Sequence, residues 1–135
     1  MIEALKQQLV RHEGLRLKLY KDTVGKLTIG VGRNLDDVGI SEAEAMILLD
    51  SDIATVVADL DNRFPWWRSM SEARQRTLAD MCFNLGITRL SRFEGALKAM
   101  EFGDYETAAQ EMLNSRWSVQ VGKRAQTLAE MMKVG

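Results

Sequence analysis

Cysteine, proline and histidine each occur only once among the 135 residues of this chain. The lone Cys82 excludes an internal disulfide and suits a protein made in a reducing cytosol. Its neighbours Met81 and Phe83 favour a buried thiol over a nucleophile. The single proline, with no repeat or low-complexity run, argues against linkers and disordered segments. Because 46% of the residues are hydrophobic, the sequence predicts one soluble globular domain with a real core.

Long apolar runs are also missing, so the sequence predicts neither a transmembrane span nor a secretory signal at the N-terminus. The formal net charge is only −1, and no nucleic-acid-binding motif is present. Both observations argue against a nucleic-acid partner. We further expect a monomer with no stable membrane association, no cofactor and no metal.

The charges are unevenly distributed along the chain. Residues 11–33 contain six Lys or Arg and two acids, which gives a local charge of +4, whereas residues 36–61 contain eight acids and no base. A basic surface around a cleft would attract an anionic polymer. The alternative is a hairpin whose charges are simply solvated.

A hairpin is predicted directly after the first helix. Gly14 should end that helix, because glycine adopts the left-handed C-terminal conformation without a steric penalty. Leucines at positions 15, 17 and 19 alternate with polar residues, which is typical of a half-buried strand. The turn-forming segment 22–25 and a return strand over 26–31 complete the hairpin.

The hairpin brings together three side chains with a characteristic spacing. Glu13 is followed after eight residues by Asp22 and, after five more, by Thr28. Two carboxylates across a gap can cut a glycosidic bond, since one donates a proton and the other handles water or the cationic centre. Glu13, at a helix end with hydrophobic neighbours, is the better acid, and Asp22, in a polar turn, should stay charged. Thr28 would hold a water against Asp22. Taken singly, each would more often be an ordinary surface or strand residue than a catalytic one.

The segment containing these residues, HEGLRLKLYKDTVGKLTIGVG, closely resembles the phage lysozymes of the T-even type, the muramidases of glycoside hydrolase family 24. The family pattern of Glu, eight residues, Asp, five residues and Thr matches Glu13, Asp22 and Thr28 without a gap. The resemblance continues through SEAEAMILLDSDI, MCFNLG, and SRW with a later KRA, and so covers nearly the whole chain.

The chain departs from the larger family members in two places. Only seven residues separate Arg33 from Ser41, where those members have an extra helical segment, so the N-terminal lobe must be shorter and the outer ends of the substrate groove are uncertain. Arg33 itself stands where members commonly have a histidine. His12 should be structural or exposed, because the family mechanism needs no imidazole.

The resemblance implies an endolysin that hydrolyses the β-1,4 bond between N-acetylmuramic acid and N-acetylglucosamine in peptidoglycan and so lyses the host. Glu13 would be the general acid, while Asp22 and Thr28 would position and activate a water, with inversion. Substrate-binding residues are expected at Asn34, Phe83 and Asn84, and Arg124 is expected to hold the Glu13 side chain in place.

The resemblance also implies the fold and the biological setting. The fold class is α+β, predominantly α, and lysozyme-like. A β-hairpin lobe (14–40) is joined by a long helix (41–62) to a helical lobe (1–13 and 63–135). We expect the protein to accumulate in the host cytoplasm and to reach the cell wall when a holin opens the membrane.

Helix caps predict where the helices begin. Capping boxes are predicted at Ser41 with Glu44 and at Ser91 with Glu94, and single caps at Ser71 and Asp104. One last helix is expected to carry an inward stripe from Trp117 to Met132.

Three alternatives to the leading interpretation differ in chemistry or in setting. A lytic transglycosylase would attack the same bond with one essential acid and form an anhydro ring. A catalytically inactive relative would bind the wall only. The protein could also act as part of a phage particle.

Overall fold

The computed structural model describes all 135 residues. Its helices are α1 (Ile2–Glu13), α2 (Glu42–Arg63), α3 (Glu72–Leu85), α4 (Ile87–Leu90), α5 (Glu94–Glu101), α6 (Tyr105–Leu113), α7 (Arg116–Val121) and α8 (Lys123–Val134), with a 3-10 turn at Pro65–Ser69. The strands are β1 (Arg16–Lys21), β2 (Leu27–Gly30) and β3 (Arg33–Asn34). The chain divides into two compact units, residues 1–48 and 49–135. This is the expected predominantly helical α+β fold. No helix combines the length and the apolar character needed to cross a membrane.

The first unit is built on a three-stranded antiparallel sheet in the order β1-β2-β3. The third strand extends the predicted hairpin, and it pairs Thr28 of β2 with Asn34. Helix α1 ends at Glu13 as predicted, because Gly14 adopts a φ of 81°. The predicted half-burial of β1 is wrong. Its leucine face stays exposed because β1 packs against no element other than its sheet partner β2.

Helix α2 begins with the predicted capping box. The Ser41 hydroxyl accepts from the Glu44 N–H at 3.1 Å, and the Glu44 carboxylate accepts from the Ser41 N–H at 2.9 Å. The same carboxylate accepts hydrogen bonds from both terminal nitrogens of Arg33, at 3.0 and 2.7 Å. Arg33 also donates to the Gly39 carbonyl at 3.1 Å. One guanidinium therefore ties β3 both to the loop that follows it and to the first turn of α2.

The second unit contains the hydrophobic core. Fully buried side chains come from several helices and include Leu60, Leu78, Met81, Leu90, Met100, Met112 and Met132. Cys82 is buried among them as expected, and burial raises the pKa of its thiol to about 11. At neutral pH the thiol is therefore protonated, in agreement with a structural role.

Two predictions of helix boundaries in this unit are confirmed and two are wrong. Ser71 caps α3 and Asp104 caps α6, each accepting the backbone N–H three residues on. The box at Ser91 does not form, because that hydroxyl donates instead to the Ile87 carbonyl at 2.7 Å and α5 begins without a side-chain cap. The single last helix is divided into α7 and α8 by Gly122, whose φ of 59° ends the first of them.

The ion pair at the start of α2 gives a testable pH dependence. Hydrogen bonds from Arg33 first, and then from Ser41, lower the pKa of the Glu44 carboxyl to about 2 from its ordinary 4.5. A pKa lowered by folding means that the charged carboxylate stabilises the fold above pH 4.5 and that this contribution is lost as the pH falls towards 2. Glu44→Gln should therefore be less stable than the parent in urea at pH 7, and the difference should shrink steadily below pH 4.5.

Glu42→Gln is the matched control, since Glu42 lies in the same first turn and has no hydrogen-bond partner. Both substitutions remove one charge near the helix N-terminus, so only the lost Arg33 and Ser41 contacts separate them. Equal pH profiles for the two variants would contradict a stabilising role for the ion pair.

Candidate active site

Glu13 is the last residue of α1, and its side chain is exposed. Its carboxylate makes no hydrogen bond and no ion pair within the chain, although it lies directly beside Gly32 in the turn between β2 and β3. Both carboxyl oxygens are thus available to a ligand. The adjacent His12 is exposed as well, in agreement with the expectation for that residue.

Asp22 lies in the turn that joins β1 to β2, where half of its carboxylate is engaged by backbone. Its Oδ1 accepts two hydrogen bonds, from the N–H groups of Val24 and Lys26, each at 2.9 Å. These bonds are formed because Asp in such a turn caps the backbone of the residues that follow it. They fix the orientation of the carboxylate and leave Oδ2 without a protein partner.

Thr28 lies on β2 and is the only polar side chain buried in this unit, with 3% exposure. Its hydroxyl donates to the Lys26 carbonyl at 2.8 Å. The hydroxyl has a single proton, so this bond leaves only its lone pairs available to other groups. The peptide groups of Lys26 thereby contact both functional side chains, since its N–H binds Asp22 and its carbonyl binds Thr28.

The basic segment around these residues keeps most of its charge. Of its six bases, Lys26 pairs with Asp37 at 3.2 Å and Arg33 pairs with Glu44. Arg16 stacks on the Tyr20 ring at 4.5 Å and so keeps its charge. Arg11, Lys18 and Lys21 have no acidic partner. Four of the six bases in this segment therefore have no acidic partner.

Asn34 is held within its own loop. Its amide nitrogen donates to the Asp37 carboxylate at 2.9 Å, and its amide oxygen accepts the Asp37 N–H at 3.0 Å. Both ends of the side chain thus stabilise the turn after β3. The expected contact of Asn34 with substrate stays a prediction.

The second unit has a groove of about 350 Å³ that contains two of the expected residues, Phe83 and Arg124. Its walls are largely apolar, and Phe83 is 46% exposed there. The Nε and Nη2 of Arg124 both donate to one oxygen of Asp80, at 2.9 and 2.7 Å. Its expected contact with Glu13 stays a prediction.

Asn84 follows Phe83 at the end of α3, and its side chain is exposed. Its amide oxygen accepts the indole N–H of the buried Trp117 at 2.7 Å. This bond fixes the amide and leaves its nitrogen, a donor, without a protein partner. Such a donor suits an acetamido carbonyl, which is the group expected on the substrate.

Sequence patterns did not identify three groups that contact the candidate site residues. The Lys26 peptide groups act through the backbone, so no side-chain motif marks them. Asp80 meets Arg124 across 44 positions of sequence, which no local spacing could predict. Gly32 follows the predicted return strand 26–31, and no sequence pattern marks its contact with Glu13. Across the whole chain, no three or more His, Cys, Asp or Glu side chains converge in a way that could hold a metal ion.

Comparison with known proteins gives a consistent picture. The family model for phage lysozyme matches residues 10–132. The chain is 33% identical to the SAR-endolysin of Escherichia phage Mu, over 98% of the chain and 76% of that protein. It is 28% identical to the probable T4-type lysozyme 2 of Dictyostelium discoideum, over 100% of the chain and 96% of that protein.

A third relative places the same domain in a larger protein. The pre-baseplate central spike protein Gp5 of Enterobacteria phage T4 is 29% identical over 98% of the chain, which corresponds to 28% of that protein. Since the family match spans nearly the whole sequence and includes Glu13, Asp22 and Thr28, this chain belongs to the phage lysozyme family and is a peptidoglycan-hydrolysing lysozyme.

Proposed function

We propose that the chain hydrolyses the β-1,4 bond between N-acetylmuramic acid and N-acetylglucosamine in a single displacement. Glu13 donates the proton to the leaving oxygen, while Asp22 and Thr28 hold the water that attacks the anomeric carbon. The observation that carries this proposal is the arrangement of Asp22 and Thr28 around the Lys26 peptide groups. It leaves one acceptor on each side chain free.

In this proposal a water molecule bridges these two acceptors. Its two protons would be donated to Asp22 Oδ2 and to Thr28 Oγ1, because Oδ1 is already saturated and the threonine proton is committed to Lys26. With both protons bound, a lone pair of the water points away from the protein. Asp22 then accepts one proton as the water attacks.

The same arrangement of hydrogen bonds favours inversion of the anomeric centre. A retaining enzyme needs a carboxylate that attacks the sugar directly, and a threonine hydroxyl beside it would have no part in that step. In the inverting arrangement Thr28 is the second anchor of the water. Its burial and its single fixed proton keep that anchor in one orientation.

The acid role falls to Glu13 because its carboxylate is unencumbered. It makes no hydrogen bond within the chain. Glu13 is also the last residue of α1, so only its own side chain separates the carboxylate from a rigid helix. A proton on this group is therefore free to pass to the leaving oxygen.

We assign Phe83, Asn84 and Asn34 to substrate contact. Exposed Phe83 provides an apolar surface for a sugar face, and the fixed amide of Asn84 donates to an acetamido carbonyl. Arg124, paired with Asp80, holds one wall of the groove and is assigned to the support of Glu13. Asn34 is assigned to the glycan on the side of the sheet.

We also propose that the protein is an endolysin that lyses its host. Two relatives, 33% and 30% identical to the chain, are SAR-endolysins by name, from Escherichia phage Mu and Bacteriophage PS119. In this role a monomer would accumulate in the host cytoplasm and reach peptidoglycan after a holin opens the membrane. Gp5 motivates the alternative that the domain acts within a particle, and recovery of the protein in purified virions would favour it.

Glu13→Gln should remove nearly all activity, with a loss on the order of 10²–10⁴-fold, because the amide keeps the shape but donates no proton to the leaving group. Its melting temperature should be no lower than that of the parent, since the carboxylate makes no stabilising contact. Clearing of permeabilised Gram-negative cells and thermal unfolding measure the two effects. Glu3→Gln, on the same helix, is the control, and a Glu13→Gln variant that clears cells at the parent rate would mean that the acid is misassigned.

Thr28→Glu should place a carboxylate where the water is held and trap a covalent glycosyl-enzyme adduct. The new carboxylate can attack the sugar directly, which no group does in the parent. Hydrolysis of the resulting adduct then stalls because the water is no longer held. Intact-protein mass spectrometry after incubation with peptidoglycan detects the added mass. Thr28→Gln matches the size but cannot attack, so an adduct on both variants, or on neither, would contradict the proposed place of the water.

A further inference from the structure

We infer that Gly32 is a positioning residue for Glu13, whose carboxylate is seated against backbone that no side chain covers. This inference rests on the proposed function, in which Glu13 is the general acid. A Cβ built on Gly32 would lie 2.7 Å from Oε2 of Glu13, 3.2 Å from Cδ and 3.3 Å from Cγ. Any residue other than glycine would thus occupy the space that the acid now fills.

The turn that carries Gly32 is held from the other side. Arg33, the next residue, is paired with Ile29 in the sheet and makes three side-chain hydrogen bonds, to the Gly39 carbonyl and to both oxygens of Glu44. The backbone of Gly32 therefore cannot withdraw without breaking this anchorage. A methyl group at position 32 would be accommodated by movement of Glu13.

That movement costs little stability and much activity. The Glu13 carboxylate is the far end of an exposed side chain with no hydrogen bond, so it can rotate away freely. A catalytic group misplaced by about 1 Å, however, can lose on the order of 10²-fold in rate. The contact thus separates the effect on catalysis from the effect on folding.

Backbone conformation alone does not account for this glycine. Gly32 has a φ of +66°, which disfavours other residues, but Gly30 has a φ of +70° and nothing within 4 Å of its Cβ position. The two glycines lie two positions apart at the same end of the sheet. They share the conformational requirement, and only Gly32 contacts the acid.

The test compares Gly32→Ala with Gly30→Ala in the full chain, using kcat and KM on soluble glycan-strand fragments and thermal unfolding. Both variants should lose similar thermal stability, because both place alanine at a positive φ. Gly32→Ala should lose kcat on the order of 10²-fold with KM little changed. Gly30→Ala should keep kcat close to the parent value.

A double-mutant cycle with Glu13→Gln isolates the contact. If Gly32 acts through the acid, Gly32→Ala should add almost nothing to the loss already caused by Glu13→Gln. Additive losses would overturn the inference, and so would equal kcat for Gly32→Ala and Gly30→Ala. A Gly32→Ala chain that does not fold, where Gly30→Ala folds, would overturn it too, because the contact would then serve the fold. A fully active Glu13→Gln variant would instead refute the proposed acid itself.

Discussion

The catalytic arrangement depends on one peptide segment, the backbone of Lys26. Its N–H fixes one oxygen of Asp22, and its carbonyl takes the proton of Thr28. Neither bond involves the lysine side chain, so the site is built from the geometry of a β-turn and its return strand. One bond occupies Oδ1 of Asp22 and the other occupies the hydroxyl proton of Thr28. The fold therefore determines which acceptor stays free on each side chain. The proposed water-holding role of Asp22 and Thr28 rests on this constraint.

A second constraint acts at the short connection between β3 and α2. The Glu44 carboxylate closes the capping box of α2 and receives the Arg33 fork, so the sheet and the helix start share one acid. This unit buries only Thr28 and has no apolar core of its own. Polar contacts of this kind and the backbone hydrogen bonds of the sheet therefore stabilise the first unit, whereas apolar packing stabilises the second. They also anchor the turn that contacts Glu13.

Much of this could be predicted from the sequence, and each failure has a physical cause. Local chemistry predicted the end of α1 at Gly14 and the caps at Ser41, Ser71 and Asp104. The box at Ser91 failed because its hydroxyl had a competing local acceptor at Ile87. The burial of β1 failed because alternation indicates which side chains share a face, and says nothing about whether another element covers that face. The Asp80 contact of Arg124 and the closeness of Gly32 to Glu13 are tertiary, and no spacing indicates them.

The central claim is that Asp22 and Thr28 hold the attacking water while Glu13 supplies the proton. Its stereochemical consequence is inversion of a β-linked sugar, so the product first formed carries the α-configuration. Proton NMR during the first turnovers on an oligosaccharide, before the anomers equilibrate, observes this directly. The account predicts that the α-anomer signal appears first and that the β-anomer grows in later by mutarotation. A β-anomer that appears first would show a double displacement and would contradict the role assigned to the water.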